Sequence, residues 1–367
     1  MYLNAKTKKR IPRRTVLFLS IILVVVVVFI TGTVMILTRG KEIKDTLVQM
    51  PFSSADTYFT VGGNTVYAKN GLLTCVDASN KDLWKVQLDA GEWKFTSGDT
   101  LAAASGTDVM TVISAKGENL FSARIDGTIQ SVRLAKNKVA VCASQTLTDK
   151  TLSYIVIFDL SGSSLYQIDI TGKYMLDYGF DYAGDQLYIL ELDVSGSAPL
   201  SRISTYRPET QAMTGIKELK DQLVENVYFS EDSVFTLGTN SLARYSSLNS
   251  TPTEVLVYGW VLEDICSDKD PKFVYVPGNA GSTYDIARVI KASGGETKIN
   301  LPPGVFKIMH MGEKIYCFAT NNIFVYTSDG KYSRSYALPL AIDGAKRAFG
   351  SYVFLTAGET VYLLPLS

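Results

Sequence analysis

Leu72-Leu73-Thr74-Cys75-Val76-Asp77-Ala78-Ser79-Asn80-Lys81-Asp82-Leu83-Trp84-Lys85-Val86-Gln87-Leu88 reads as a β-hairpin, and the rest of the chain echoes it. Residues alternate from Leu73 and Cys75 onward, and Ala78-Ser79-Asn80-Lys81 turns the chain. Leu83, Lys85 and Gln87 then alternate with Trp84, Val86 and Leu88 on the return. Asn80 falls where the turn needs φ > 0, which Asn tolerates better than most residues. Three further stretches align on that turn. They are Val112-Ile113-Ser114-Ala115-Lys116-Gly117-Glu118-Asn119-Leu120-Phe121, Ile157-Phe158-Asp159-Leu160-Ser161-Gly162-Ser163-Ser164-Leu165-Tyr166 and, more loosely, Val325-Tyr326-Thr327-Ser328-Asp329-Gly330-Lys331-Tyr332. The turn position holds Asn80, Gly117, Gly162 and Gly330, which accept a left-handed backbone at low cost. Four places later stand Trp84, Phe121 and Tyr166. A large flat side chain at a fixed place in a repeat suits packing between adjacent sheets.

Repeats of this length point to a solenoid or a propeller. Eight inner strands can be placed from apolar or aromatic runs followed by a turn. They begin near Thr57, Trp93, Thr128, Met175, Val224, Val261, Val305 and Lys346, a spacing that suits four-stranded blades. The last unit supplies three strands, at 346–349, 352–356 and 360–366. The segment 43–50 at the front is one strand with nothing local to pair with. Joining it to the last blade closes the ring and removes exposed sheet edges. The expected fold is therefore all-β, a β-propeller over residues 43–367. Eight blades are favoured; seven is the rival, because 224–258 is weakly patterned. A β-sandwich array fits the steady unit length less well. The best helical candidate, 209–223, follows Pro208 and spaces Ile216, Leu219 and Leu223 like a helix, but Gly215 interrupts it.

The first hairpin resembles the repeat of the PQQ-like β-propellers, roughly Ala-x-Asp-x-x-Thr-Gly-x-x-x-Trp. Cys75 stands at the Ala position, Asp77 at the Asp, Asn80 in a turn one residue shorter, and Trp84 closes the motif. That resemblance implies a propeller. It implies no quinone cofactor, since many proteins with this repeat bind none. In layout, nearly the full length is similar to the uncharacterised membrane-anchored propeller proteins of Gram-positive bacteria, with WD40-like repeats.

Residues 1–14 hold Lys6, Lys8, Lys9, Arg10, Arg13 and Arg14 and no acid, whereas residues 15–37 carry no charge. Such a run spans ~34 Å as a helix, enough for a bilayer core of ~30 Å. The basic residues ahead of it favour a cytoplasmic N-terminus and an extracytoplasmic bulk. A cleaved signal peptide is the alternative, but its apolar region is shorter, and Met35-Ile36-Leu37-Thr38-Arg39-Gly40 offers no good small-x-small site. Residues 15–37 are therefore expected to sit in the lipid bilayer as an uncleaved anchor. The short linker 38–42 holds the domain close to the membrane. Beyond the anchor, thirty basic residues face thirty-six acidic ones, a net charge of −6. This argues against nucleic acid or anionic lipid as a partner of the outer domain.

Chemistry is sparse. Cys75, Cys142, Cys266 and Cys317 fall in different blades beside apolar strands, with neither metal-site nor vicinal spacing, and read as buried thiols. The vicinal cysteines found in quinone-dependent alcohol dehydrogenases of this fold are absent. The single histidine, His310, lies between Met309 and Met311 and reads as a packed residue at the end of an inner strand. One His makes no His-rich metal site, and a Ser-His-Asp triad would need it in a pocket. Asp268 and Asp270, interleaved with Lys269 and Pro271, read as a solvated turn rather than a calcium site or a glycosidase pair. Gly278-Asn279-Ala280-Gly281-Ser282 lacks the Lys and following helix of a phosphate loop. No catalytic, cofactor-binding or metal residue is assigned, and no cofactor is expected. The leading expectation is a non-catalytic envelope scaffold that binds a protein or wall polymer. The alternatives are a propeller enzyme, either quinone-dependent dehydrogenase or glycan-acting hydrolase or lyase, and a sensor, for which residues 1–14 are too short to form a signalling domain.

Overall fold

A computed structural model describes residues 41–42, 46–220, 222–266 and 270–366. The expected cytoplasmic tail, the membrane-spanning run and Asp268 lie outside them. Among the described residues, no helix is long and apolar enough to cross a membrane.

The described strands form eight sheets whose strands follow one another in sequence, each antiparallel to the next. Blade 1 spans 57–87, blade 2 94–124, blade 3 128–169, blade 4 174–220, blade 5 224–256, blade 6 260–300 and blade 7 305–337. Blade 8 takes its three inner strands from 344–365 and its outermost from Val48–Ser53, which pairs with Thr360–Pro365. The inner strands begin at Thr57, Lys94, Thr128, Tyr174, Val224, Trp260, Val305 and Gly344, all within two residues of the sequence expectation. The weakly patterned unit forms a complete four-stranded blade, so the ring has eight blades and not seven.

One expectation is corrected. The closing strand is Val48–Ser53, not 43–50; Lys41–Glu42 pairs parallel with Tyr336 and Ala337 and adds a fifth strand to blade 7. Met50 and Phe52 decide this register, since both point into the core. The Phe52 ring lies 4.8 Å from Tyr58 and 5.1 Å from Tyr67 of blade 1. The stretch after Pro208, the best helical candidate although interrupted by Gly215, is strand over most of its described residues. Pro208–Thr210 makes one 3-10 turn, and Ala212–Lys220 is the outer strand of blade 4. Its pairing with Leu200–Arg207 holds it as a strand, whereas a short helix without tertiary packing is marginal in water.

The core lies between sheets rather than in one centre. Phe59, Val66 and Leu73 of blade 1 pack on Ala102, Ala104 and Ile113 of blade 2, and the pattern recurs around the ring. Middle strands such as Leu101–Ser105 are buried on both faces, which explains their unbroken apolar runs.

The repeated hairpins share one geometry. The backbone N–H of Asn80, Gly117, Gly162 and Gly330 donates to the carbonyl three residues earlier, on Asp77, Ser114, Asp159 and Thr327. Asp77 Oδ1 accepts from the N–H of Ser79 and Lys81; Asp159 does the same for Ser161 and Ser163. Each turn residue has positive φ, as expected. The aromatics dock on the next blade. Trp84 lies over Gly117, and its indole Nε1 donates to Ala115 O at 2.9 Å. Phe121 lies over Gly162 in the same way. Blade 6 carries a fifth copy of the turn, Lys291 to Gly295 with Gly294 at positive φ, that its sequence disguises.

Candidate functional site

His310 is wholly buried on the inner strand of blade 7, Val305–Met311. Its Nε2 lies 3.1 Å from Ser328 Oγ, and Ser328 donates its hydroxyl proton to Glu313 Oε2 at 3.2 Å. The hydroxyl has one proton to share between the ring and the carboxylate, and the ring nitrogen's role follows the tautomer. Lys272 of blade 6 closes the chain on Glu313 Oε1 at 3.3 Å. These residues join blades 6 and 7.

The inner strands of blades 6, 7 and 8 are tied together nearby. Asp264 Oδ2 accepts from the His310 backbone N–H at 2.7 Å and from Arg347 Nη2 at 2.6 Å, and the same Nη2 reaches His310 O at 2.8 Å. Burial pushes the Asp264 carboxyl above the usual carboxylate range, against the opposing pull of Arg347, the His310 N–H and Lys307. Glu263 pairs with Lys307 at 2.8 Å and accepts from Tyr284 Oη at 3.1 Å. Across the ring, Arg133 of blade 3 pairs with Asp177 of blade 4 at 3.2 Å. These carboxylates, which the sequence reading did not single out, are each matched to a cation of another blade. That arrangement locks inner strands together.

The four cysteines are buried in blades 1, 3, 6 and 7. Burial pushes the Cys75 thiol up to about 11 and Cys317 to about 12, so neither is a ready thiolate. Asp270 is exposed beside the start of Lys272–Pro277. Gly278 to Ser282 connects two strands of blade 6, as expected of a turn. Among the described residues, no group of three His, Cys, Asp or Glu side chains could hold a metal ion.

The distinctive surface lies elsewhere, on blade 4 and its neighbours. Twelve large hydrophobic side chains are exposed among the described residues. Tyr174, Leu176, Tyr182, Val194, Met213 and Ile216 belong to blade 4, and Leu256, Tyr258 and Val261 mark the passage from blade 5 to blade 6. Tyr258 is 81% exposed and Tyr174 67%. Three depressions open beside them. One, of about 540 Å³, lies between blades 4 and 5; one of about 600 Å³ shares Asp181 and Tyr182 with it and is lined also by Lys136; the third, of about 430 Å³, is lined by Lys173, Tyr174, Glu191, Val194 and Arg202. Scattered exposed apolar residues need no explanation, but nine of twelve on one arc of a ring do. No sequence motif marks this arc. Its residues come from strands and from connections at both ends of the blades: Tyr182 sits in the turn after the inner strand of blade 4, and Tyr258 in the passage from blade 5 to blade 6.

The architecture defines an eight-bladed β-propeller. The chain belongs to a family of unknown function, DUF5711, which matches residues 39–359. No curated protein matches it in sequence. Solved structures share the fold at low identity. BamB from Moraxella catarrhalis is 10% identical with a TM-score of 0.54, over 88% of this chain and 97% of that one. The C-terminal WD40 domain of Sif2 is 11% identical with a TM-score of 0.56, over 89% and 99%. The computationally designed Ika8 protein is 14% identical with a TM-score of 0.57, over 88% and 99%.

Proposed function

We propose that this propeller is a non-catalytic scaffold of the cell envelope, anchored in the membrane by residues 15–37 with its ring outside the cytoplasm, and that it binds a protein or wall polymer. The observation that carries the binding role is the arc of exposed aromatic and aliphatic side chains from blade 4 to the start of blade 6. Aromatic surface of this kind is what interfaces use. The charge-free run after six basic residues supports the anchor and its orientation. BamB and WD40 neighbours are consistent with a scaffold at the level of fold.

The test is photo-crosslinking in living cells from Tyr182 and Tyr258, with Tyr332 of blade 7 as the control position, followed by capture of the full-length protein and mass spectrometry. The same envelope component should be captured from the first two positions and not from the third. Recovery of the protein alone from both arc positions would overturn the scaffold role. Survival of the full-length chain when protease is added to accessible cells would overturn the outward orientation.

A further inference from the structure

All of the propeller's acidic surplus lies in two neighbouring blades. Residues 173–256, which make blades 4 and 5, hold six basic and twelve acidic side chains, whereas the remaining residues beyond the apolar run hold twenty-four of each. The 540 Å³ groove opens between these two blades. Its walls are the turns 181–186 and 229–234, joining the first two strands of each blade, and the turn 246–249 of blade 5. Three carboxylates line it, Asp181, Glu231 and Asp232, and no Lys or Arg does. Asp181 Oδ1 is held by the backbone N–H groups of Asp185 and Gln186, which fixes its position. Glu231 and Asp232 are exposed, and no ion pair involves either among the described residues. Lys217 is held over the Tyr245 ring at 4.9 Å, outside the lining.

The rest of the lining suits a chain rather than an ion. Tyr182 is 64% exposed at the mouth, and Tyr188 and Phe229 pack 5.2 Å apart. Ser230, Ser246, Ser247 and Asn249 supply hydrogen-bonding groups along the wall. A concave wall carrying one sign of charge focuses the field and draws in the opposite sign. Tyrosine faces favour the same cations and cover their methylene stems.

We propose that this groove takes a basic segment of a protein partner, with Lys or Arg heads against Asp181, Glu231 and Asp232 and apolar stems over Tyr182. The proposal rests on the scaffold reading and names its partner chemistry. The position fits. In an eight-membered ring blades 4 and 5 stand opposite blades 8 and 1, where the N-terminal strand joins, so the groove lies away from the tether. An anionic lipid surface is repelled by the same charge.

The experiment uses the full-length protein in an uncharged detergent and a fluorescent peptide of alternating Lys and Leu, with a Glu-for-Lys peptide as comparison. The Lys peptide should bind and the Glu peptide should not. E231Q/D232N should weaken Lys-peptide binding roughly threefold to tenfold, the scale of two exposed charge pairs. D89N/E92Q, two exposed acids before blade 2, should leave it unchanged. Equal binding of both peptides, binding of neither, or indifference to E231Q/D232N overturns the proposal. Crosslinking from Tyr258 separates the two readings. A partner captured there while the peptides fail leaves the scaffold standing and removes the groove; no capture from Tyr182 or Tyr258 removes both.

Discussion

Gly117 shows how one residue carries two constraints. Its φ of +82° belongs to the turn, and a Cβ there would come within 2.7 Å of the Trp84 indole. Gly172 has a similar φ of +77° and open space around it. Gly117→Ala should therefore cost about 2–3 kcal/mol in denaturant unfolding, against about 1 kcal/mol for Gly172→Ala, where only the backbone term acts. The turn requirement was legible in the sequence. The second constraint was not, because Trp84 belongs to the previous blade. Asp264 gives a second test at this scale. Its folded-state carboxyl is raised, so the folded protein holds that proton more tightly than the unfolded chain. Its contribution to stability is present below the ordinary aspartate value of 3.8 and is lost as pH rises through the raised folded value. Asp159, Asp169 and Asp193 are lowered, first by hydrogen bonds from Ser161, Thr171 and Ser195, and act in the opposite sense. Comparing Asp264→Asn with wild type isolates the difference: the wild type should lose stability relative to the variant as pH rises from acid to neutral.

At the scale of elements, the ring is held by lysines at the start of second strands. Lys138 opens Lys138–Thr146 of blade 3, and its side chain is only 4% exposed. It reaches Glu209 at 2.7 Å and Gly184 O at 3.0 Å, both in blade 4. Lys272, which opens Lys272–Pro277 of blade 6, reaches Glu313 of blade 7 in the same way. Glu209→Gln leaves a buried ammonium without its counter-charge; because Glu209 is half exposed and Lys138 keeps Gly184 O, the cost should be about 1–2 kcal/mol, whereas Lys138→Met removes the buried charge and should cost less. Denaturant unfolding of both variants checks the order. The same blade shows how pairing overrides local spacing: Ile216 and Leu219, three apart, suit one face of a helix but lie on opposite faces of the strand that pairs with Leu200–Arg207, Ile216 exposed and Leu219 buried. In blade 6 the turn is disguised because Thr297, three places after Gly294 rather than four, stands where three of the other copies carry an aromatic, although it still meets the next turn glycine, Gly330.

At the scale of the molecule, closure rests on one strand. Val48–Ser53 joins the start of the chain to its last blade, and Phe52 packs on rings of blades 1 and 8. Phe52→Ala should cost about 3–5 kcal/mol and broaden the thermal transition, since opening blade 8 uncouples its neighbours. Tethering at this strand also sets an orientation on the anchored reading. Fluorophores placed at Tyr332 of blade 7 and Leu147 of blade 3, both exposed, should differ in a bilayer carrying quencher lipids. The position in blade 7 should be quenched more strongly.

The sequence by itself determined the repeat, the left-handed turn residues, the starts of the inner strands and the use of a front strand to close the ring. These follow from local periodicity and backbone sterics, which neighbouring residues carry with them. Only the tertiary structure decided the register of the closing strand, the docking of Trp84 on Gly117, the pairing of Asp264 with Arg347 and the groove between blades 4 and 5. Each of those depends on side chains from different blades meeting. Local periodicity holds no information on which distant surfaces face one another, because closing the ring is what brings them together.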